Sequence, residues 1–343
     1  MMEEYSAWLL NELSLAARDL VNPTKRVSLL YFASALFFAF VLFTLRDRKR
    51  AWRRILPLFR LATWWSPSAR VDYGLWLGNR LLFSLLFPKA ITTLGVVTWL
   101  MFRLQEVGMS AFPVVIPDWG VVSLFSVCYF LLDDFTRFWV HWLMHRWPWL
   151  WAFHRVHHSA TQLTPFTVLR THPVEGVLFY LRSLVVQASL VSVFIVLFPG
   201  QVSLLTVGGV FVTTYCFNLL GANLRHSPVA LSYGKQLERW LISPAQHQLH
   251  HSVDVAHYDC NFGVVLALWD RLFGCLQFAS DQQKLHYGSA SKLDQMGVFG
   301  HYWSPIAYLA KRGKQWLKSP AVWWSSRVKK NAKSEPKGSN ISL

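Results

Sequence analysis

Long apolar stretches, each stopped by charge or by a turn signal, set the first reading of this 343-residue chain. Residues 27–45, VSLLYFASALFFAFVLFTL, can cross roughly 30 Å of hydrocarbon as a helix, and they stop at the basic run RDRKR. Residues 119–140, 176–198 and 202–222 form three further apolar runs, the last two joined by Pro199, Gly200 and Gln201 as a tight hairpin. A fifth run, residues 81–102, is broken by Pro88 and Lys89 and suits a kinked span or a re-entrant element. The pattern predicts an all-α, polytopic membrane protein with four or five transmembrane helices.

Composition supports that class. The chain is 53% hydrophobic and 15% charged, well below the roughly 25% charge of an average soluble domain. Its formal net charge of +16 invites a nucleic-acid reading, but most of the excess lies in two segments. Residues 46–60 hold seven basic residues against one acid, and residues 311–343 hold nine against one. Beside apolar runs, with Trp52, Trp64, Trp65, Trp316, Trp323 and Trp324 nearby, such segments mark cytoplasmic flanks on anionic lipid. No nucleic-acid-binding motif accompanies the charge, and no nucleic-acid partner is expected. Glu3 and Glu4 stand where a cleaved signal would carry basic residues, so the first span is expected to be retained. If all five runs cross, the N-terminus is external, and residues 141–175 and 223–343, which carry all thirteen histidines, share the cytoplasmic side as a helical cap. Three regions are expected: an N-terminal membrane region at 1–118, a catalytic domain at 119–280 and a basic C-terminal tail at 281–343.

The histidines carry the chemistry. Cys128, Cys216, Cys260 and Cys275 form no Cys-x-x-Cys pair, so neither a disulfide framework nor a thiolate zinc site is indicated. In a helix, His141 and His145 lie about 40° apart on one face, with Asp134 two turns below His141. Pro148 cannot continue that helix but suits the first turn of another, so the chain is expected to turn near Trp147. In the next helix His157 and His158 fall about 60° and 40° to either side of His154, so all three are expected to face one way. The motif returns as His247, His250 and His251, behind a predicted cap in which Ser243, Pro244 and Gln246 form a capping box. Eight imidazoles exceed the needs of one tetrahedral zinc and suit two metal ions with open positions. A desolvated imidazole stays neutral, which is its ligating form. Isolated His286 and His301 are expected to be ordinary hydrogen-bonded residues.

The run from DDFTRFWVHWLMH through HRVHHS and RTHPVE to SPAQHQLHHS and HYDCNFGVVLALWDRLFG, covering roughly 130–275, resembles the fatty acid hydroxylase and sterol desaturase superfamily of membrane-bound di-iron enzymes. The resemblance implies metal ligation by His141, His145, His154, His157, His158, His247, His250 and His251, with His172 and His226 to complete the shell. Where many relatives carry a further histidine one turn before His226, this chain has Gly221 and Ala222. Asn223, His257, Asp259 and Asn261 also fit the family pattern and are expected, with Asp134, to orient imidazoles. Two iron ions are the implied cofactors, with zinc as an occupant after overexpression and O₂ as co-substrate. The expected function is hydroxylation or desaturation of a membrane lipid, such as an acyl chain or sterol. No dinucleotide fingerprint or haem-attachment motif is present in the sequence, so electrons are expected from a separate donor or reductase. The competing readings are a divalent-metal transporter, whose ligands would sit near the bilayer midplane, and a non-catalytic scaffold, which would have lost cluster residues.

Overall fold

A computed structural model describes residues 2–23, 25, 27–86, 93–201, 221–280, 284–289 and 293–318. Among these residues the chain is helical, with two isolated bridges, Leu241 to Leu266 and Ser252 to Tyr287, as its β pairing. Three helices are long and apolar enough to cross a membrane: Leu29–Asp47, Asp118–Arg146 and Pro173–Leu197. They match three of the runs that the hydropathy pattern predicts. The run at 81–102 falls on two helices, Pro67–Leu86 and Thr93–Glu106, with 87–92 outside the described residues. The chain turns at residues 198–201, where the hairpin is expected, with Gly200 at φ 81°. Its second arm, and the tail beyond 318, lie outside the described residues.

In chain order the helices are α1 (Met2–Asp19), α2 (Leu29–Asp47), α3 (Ala51–Ile55), α4 (Leu61–Trp64), α5 (Pro67–Leu86), α6 (Thr93–Glu106), α7 (Asp118–Arg146), α8 (Pro148–His154), α9 (Pro173–Leu197), α10 (Lys235–Glu238), α11 (Pro244–His250), α12 (Leu268–Leu272) and α13 (Val298–Lys318). Helix α2 buries only Tyr31, Ala35, Ala39 and Phe43, a one-residue-wide stripe at four-residue spacing. Its alanines let α3 and the segment Leu224, Val229 and Leu231 approach closely, the small-residue packing that substitutes for a hydrophobic driving force inside lipid. Outside that stripe Leu29, Phe37 and Leu45 are exposed, as lipid-facing positions must be. A second core joins α6, α7 and α9 through Val97, Val121, Phe125, Val191 and Phe194. Within it Phe125 and Phe194 meet edge to face at 5.1 Å and the Ser192 hydroxyl donates to the Val97 carbonyl at 3.0 Å.

A buried ionic knot ties the polar half together. Arg170 is fully buried. Its Nη1 donates to Asp72 Oδ1 at 2.9 Å and to Ser68 Oγ at 3.1 Å, and its Nε to Ser159 Oγ at 3.1 Å. Asp72 Oδ2 also accepts from the hydroxyls of Thr167 and Thr164. His301 on α13 gives its Nδ1 proton to the Gly297 carbonyl, which leaves Nε2 to accept from Arg170 Nη2 at 3.1 Å. The hydrogen-bonded role expected of His301 is therefore observed, whereas His286 lies exposed on a loop.

Asp72→Asn should leave the Arg170 guanidinium buried without its countercharge, a loss of about 3–5 kcal/mol that thermal unfolding in detergent would register. Acid should weaken the same knot. Burial first, and then the Arg170 charge, hold His301 down at about 4, while an unfolded histidine takes its proton near 6.5. Between those values the unfolded chain binds a proton that the folded one refuses, so stability falls as pH drops through the window. His301→Gln should make the melting temperature less steeply dependent on pH there.

Candidate metal centre

Two helix breaks bring the histidine motifs together. Helix α7 ends at Arg146, Trp147 turns extended at φ −98° and ψ 120°, and Pro148 starts α8, as the sequence predicts. Helix α8 then stops at His154, and residues 157–159 form a separate 3₁₀ turn. The expectation that His154, His157 and His158 face one way is corrected: the chain tightens after Arg155, and His157 turns away from the other two. Helix α11 carries the predicted capping box, with Ser243 Oγ accepting from the Gln246 amide and Gln246 Oε1 from the Ser243 amide.

The result is two adjoining groups of imidazoles. One comprises His141, His145, His154, His158 and His250, the other His157, His226, His247 and His251; within each group the ring nitrogens lie within 4.8 Å of one another. The logic is helical. Pairs four residues apart, 141 with 145, 154 with 158 and 247 with 251, stay in one group. Consecutive residues point about 100° apart, so the two His-His dipeptides divide, His158 and His250 to one group and His157 and His251 to the other. Where the groups meet, the His158 and His251 rings stack at 4.4 Å.

Each ring is held by its other nitrogen. His141 Nδ1 donates to the Phe262 carbonyl at 2.9 Å, His250 Nδ1 to the Cys260 carbonyl at 2.7 Å and His154 Nδ1 to Glu175 Oε1 at 2.9 Å. A carbonyl can only accept, so His141 and His250 carry their protons on Nδ1 and present Nε2 lone pairs. The Nε2 atoms of His141, His145 and His250 are buried without hydrogen-bond partners. In the second group His226 Nε2 lies 2.9 Å from His247 Nε2 and 3.1 Å from those of His157 and His251. One ring nitrogen cannot share a proton with three others. Converging Nε2 atoms at this spacing do fit the edges of a coordination polyhedron with metal–nitrogen bonds of about 2.0–2.1 Å. Burial, above all, depresses the basicity of His154 to about 3 and of His157 to about 4, and drives His158, His247, His250 and His251 well below the ordinary value. All six stay neutral at physiological pH, as ligation requires. Both groups could hold a metal ion.

Other expected residues fall elsewhere. His172 lies outside both groups: it caps α9, its Nδ1 accepting from the Val174 amide, and its Nε2 meets the Tyr302 carbonyl at 3.1 Å. His226 joins the second group. Asp134 orients no imidazole. It accepts from the amides of Val265 and Leu266 at 2.9 and 3.0 Å and from Trp269 Nε1 at 3.0 Å, and so braces the loop whose Phe262 carbonyl holds His141. Asn261, at φ 54°, clamps backbone instead, donating to the Gln246 carbonyl and accepting from the Gln277 amide. Asp259 is exposed and His257 Nδ1 meets Ser252 Oγ, both away from the imidazole groups. Asn223 lines a cavity of about 390 Å³ beside both groups, along with Glu175, Arg137 and Arg182.

Two residues do not stand out from the sequence pattern. Glu175, 4% exposed, is the carboxylate that holds His154; a lone acid in the first turn of an apolar helix, just after its Pro173, is the signal that could have marked it. Asp270 accepts from the Phe262 and Gly263 amides at 2.7 and 2.8 Å, and burial raises it to about 7. Its sequence context gives no such signal.

Residues 126–275 match the profile of the fatty acid hydroxylase family. They form a fatty acid hydroxylase domain. Among curated proteins, alkylglycerol monooxygenase of Danio rerio is 30% identical over 186 residues, which cover 53% of this chain and 37% of the relative. The Homo sapiens alkylglycerol monooxygenase is 30% identical over 159 residues, 46% of this chain and 32% of the relative. Delta(7)-sterol 5(6)-desaturase of Gibberella zeae is 29% identical over 157 residues, 46% of this chain and 42% of the relative. The chain thus spans about a third to two fifths of the length of these relatives. No solved structure matches it. The resemblance read from the histidine motifs holds, and all nine grouped imidazoles lie inside the fatty acid hydroxylase domain.

Metal analysis of the purified protein should find close to two ions per chain. His158→Ala and His251→Ala each remove a ligand from one group and should bring the stoichiometry towards one. Glu175→Gln should weaken binding about 10- to 100-fold in a chelator competition, the usual effect of losing a ligand's orienting partner. His172→Ala should leave both content and affinity unchanged.

Proposed function

We propose that the chain is an O₂-dependent lipid hydroxylase or desaturase whose two imidazole groups hold a pair of iron ions. The carrying observation is the geometry of the site: two adjoining all-imidazole groups, buried except for half-buried His145, open on one cavity where apolar helices α7 and α9 converge. Oxidising an unactivated C–H bond needs a redox cofactor, because no side chain is a strong enough oxidant. An all-nitrogen shell suits iron, and bound iron would supply the redox chemistry with O₂. His141, His145, His154, His158 and His250 would hold one ion, and His157, His226, His247 and His251 the other.

The remaining groups have defined work. Glu175 keeps the His154 proton on Nδ1, and the Phe262 and Cys260 carbonyls do the same for His141 and His250. Asp134 and Asp270 hold the loop that supplies the Phe262 carbonyl. Phe179, Val168 and Val264 give the cavity apolar wall for an acyl or sterol carbon. Relatives named as monooxygenases and as a desaturase share the domain, so both outcomes belong to the reading. The substrate would enter from the bilayer, the centre would face the cytoplasm beside the basic flank at 46–60, residues 119–280 would form the catalytic unit, and a separate reductase would deliver electrons. His141 and His145 lie in the last two turns of α7, and the other seven imidazoles lie outside the three candidate spans, which disfavours a transporter.

Cells that co-express the protein with a reductase should accumulate, in air only, a lipid heavier by one oxygen or lighter by two hydrogens. Isotopic O₂, not labelled water, should mark a hydroxylated product, and His158→Ala or His251→Ala should abolish the change. An unaltered lipid profile with raised cellular iron or zinc would replace the oxygenase reading with transport.

A further inference from the structure

The cavity beside the imidazoles has an unbalanced charge in its wall. Arg137 on α7 and Arg182 on α9 both line it, and both turn to a single carboxylate. Arg137 Nε meets Asp133 Oδ2 at 2.8 Å. Arg182 Nη2 pairs with Asp133 Oδ1 at 2.8 Å. Arg182 Nη1 donates to the Thr136 hydroxyl at 2.8 Å and to the Asp133 carbonyl at 3.2 Å. Its Nε is buried with no partner, although the side chain is only 7% exposed. The cavity's own acid, Glu175, holds His154 through Oε1, and its Oε2 is buried without a hydrogen-bond partner.

Arg225 lines the cavity as well, so three guanidiniums, Arg137, Arg182 and Arg225, stand against two carboxylates, Asp133 and Glu175, which leaves one positive charge in excess. A charge inside an apolar helix pair is costly unless it is paired, and such residues mark substrate paths. Arg137 stands four residues before His141, and Arg182 seven residues after Glu175, which puts the guanidiniums on the imidazole-facing sides of α7 and α9, within about one to two helical turns of the histidines. Asn223 Nδ2, also without a partner, supplies a further donor in the cavity wall. A planar guanidinium pair with free donors matches the oxygens of a carboxylate or phosphate. A neutral hydroxyl would leave the charge unmet.

We propose that Arg137 and Arg182 anchor an anionic headgroup, carboxylate or phosphate, of the lipid that enters this cavity, so that the substrate is an anionic lipid and not a neutral alcohol or sterol. The proposal rests on the oxygenase reading for the word substrate, but its test is a binding measurement. Equilibrium binding of oleate, oleyl phosphate and oleyl alcohol to the metal-loaded protein in neutral nanodiscs, at pH 8, compares the three headgroups on one chain length. Oleate or oleyl phosphate should bind at least about tenfold more tightly than oleyl alcohol, and whichever anion is preferred names the headgroup. Arg137→Gln should cut the affinity for that anion about tenfold and leave oleyl alcohol unchanged, with Arg137→Lys intermediate. Arg182→Gln should do the same; should it fail to fold, the more exposed Arg137 carries the test. Equal affinity for all three probes in the wild-type protein, or an equal loss for anion and alcohol in an Arg137→Gln protein of normal metal content, would overturn the proposal. Headgroup selectivity without oxidised lipid would sink the oxygenase reading and leave this one standing.

Discussion

Nine imidazoles can share one dry volume only if all of them are neutral. Two protonated rings at a nitrogen separation near 3 Å would repel strongly in a medium that screens poorly, and burial already opposes protonation of each. The surrounding structure enforces that state. It buries eight of the nine rings and half-buries His145, and it fixes which nitrogen keeps the proton by aiming a carbonyl or carboxylate at Nδ1 of His141, His154 and His250. Lone pairs are thereby left facing one another, an arrangement that is unfavourable until a cation satisfies it.

That requirement explains why so much of the polar half is scaffolding. Asp134 and Asp270 grip the loop at 262–266 from opposite ends, through four backbone amides, so that one carbonyl points at His141. Gly263 has no room for a side chain: a Cβ there would lie 2.6 Å from Asp270 Oδ2 and 2.8 Å from the Leu266 carbonyl. Gln248 is spent in the same way, donating to the carbonyls of Leu224, Ser227 and Val229 and fixing the turn that presents His226. The Arg170 knot joins α5, the turn at 157–159 and α13, so the two histidines that divide between the groups sit on braced backbone.

The apolar half has a different task. Helices α7 and α9 carry His141, His145 and Glu175 at their polar ends and bury a common core with α6 further along. The same two helices therefore set the distance between the imidazoles and the lipid-facing surface, and the cavity lies in the angle between them. Its wall holds apolar Phe179 as well as charged Arg137 and Arg182, a mixture suited to an amphipathic molecule.

Much of this was legible in the chain itself. Three long apolar helices, the break at Pro148, the capping box at Ser243 and the histidines that matter follow from local rules: hydrophobic length, the missing amide of proline, and the 100° advance per residue. Local rules separate the neighbours within each His-His dipeptide but could not decide which imidazoles from different segments meet. His158 joins His250 and His157 joins His251 because the tight turn after α8 and the approach of α11 select their partners. Nor could they give His172 and Asp134 their places, since a helix cap and a loop brace are defined by what a distant segment brings to them. Glu175 is an unremarked acid in sequence and acquires its role only when α9 packs beside α8 and meets His154. Residue type and spacing determined that metal-binding groups would form; the packing of separate helices decided which atoms converge, because distances between elements are set by tertiary contacts that no short stretch of sequence contains.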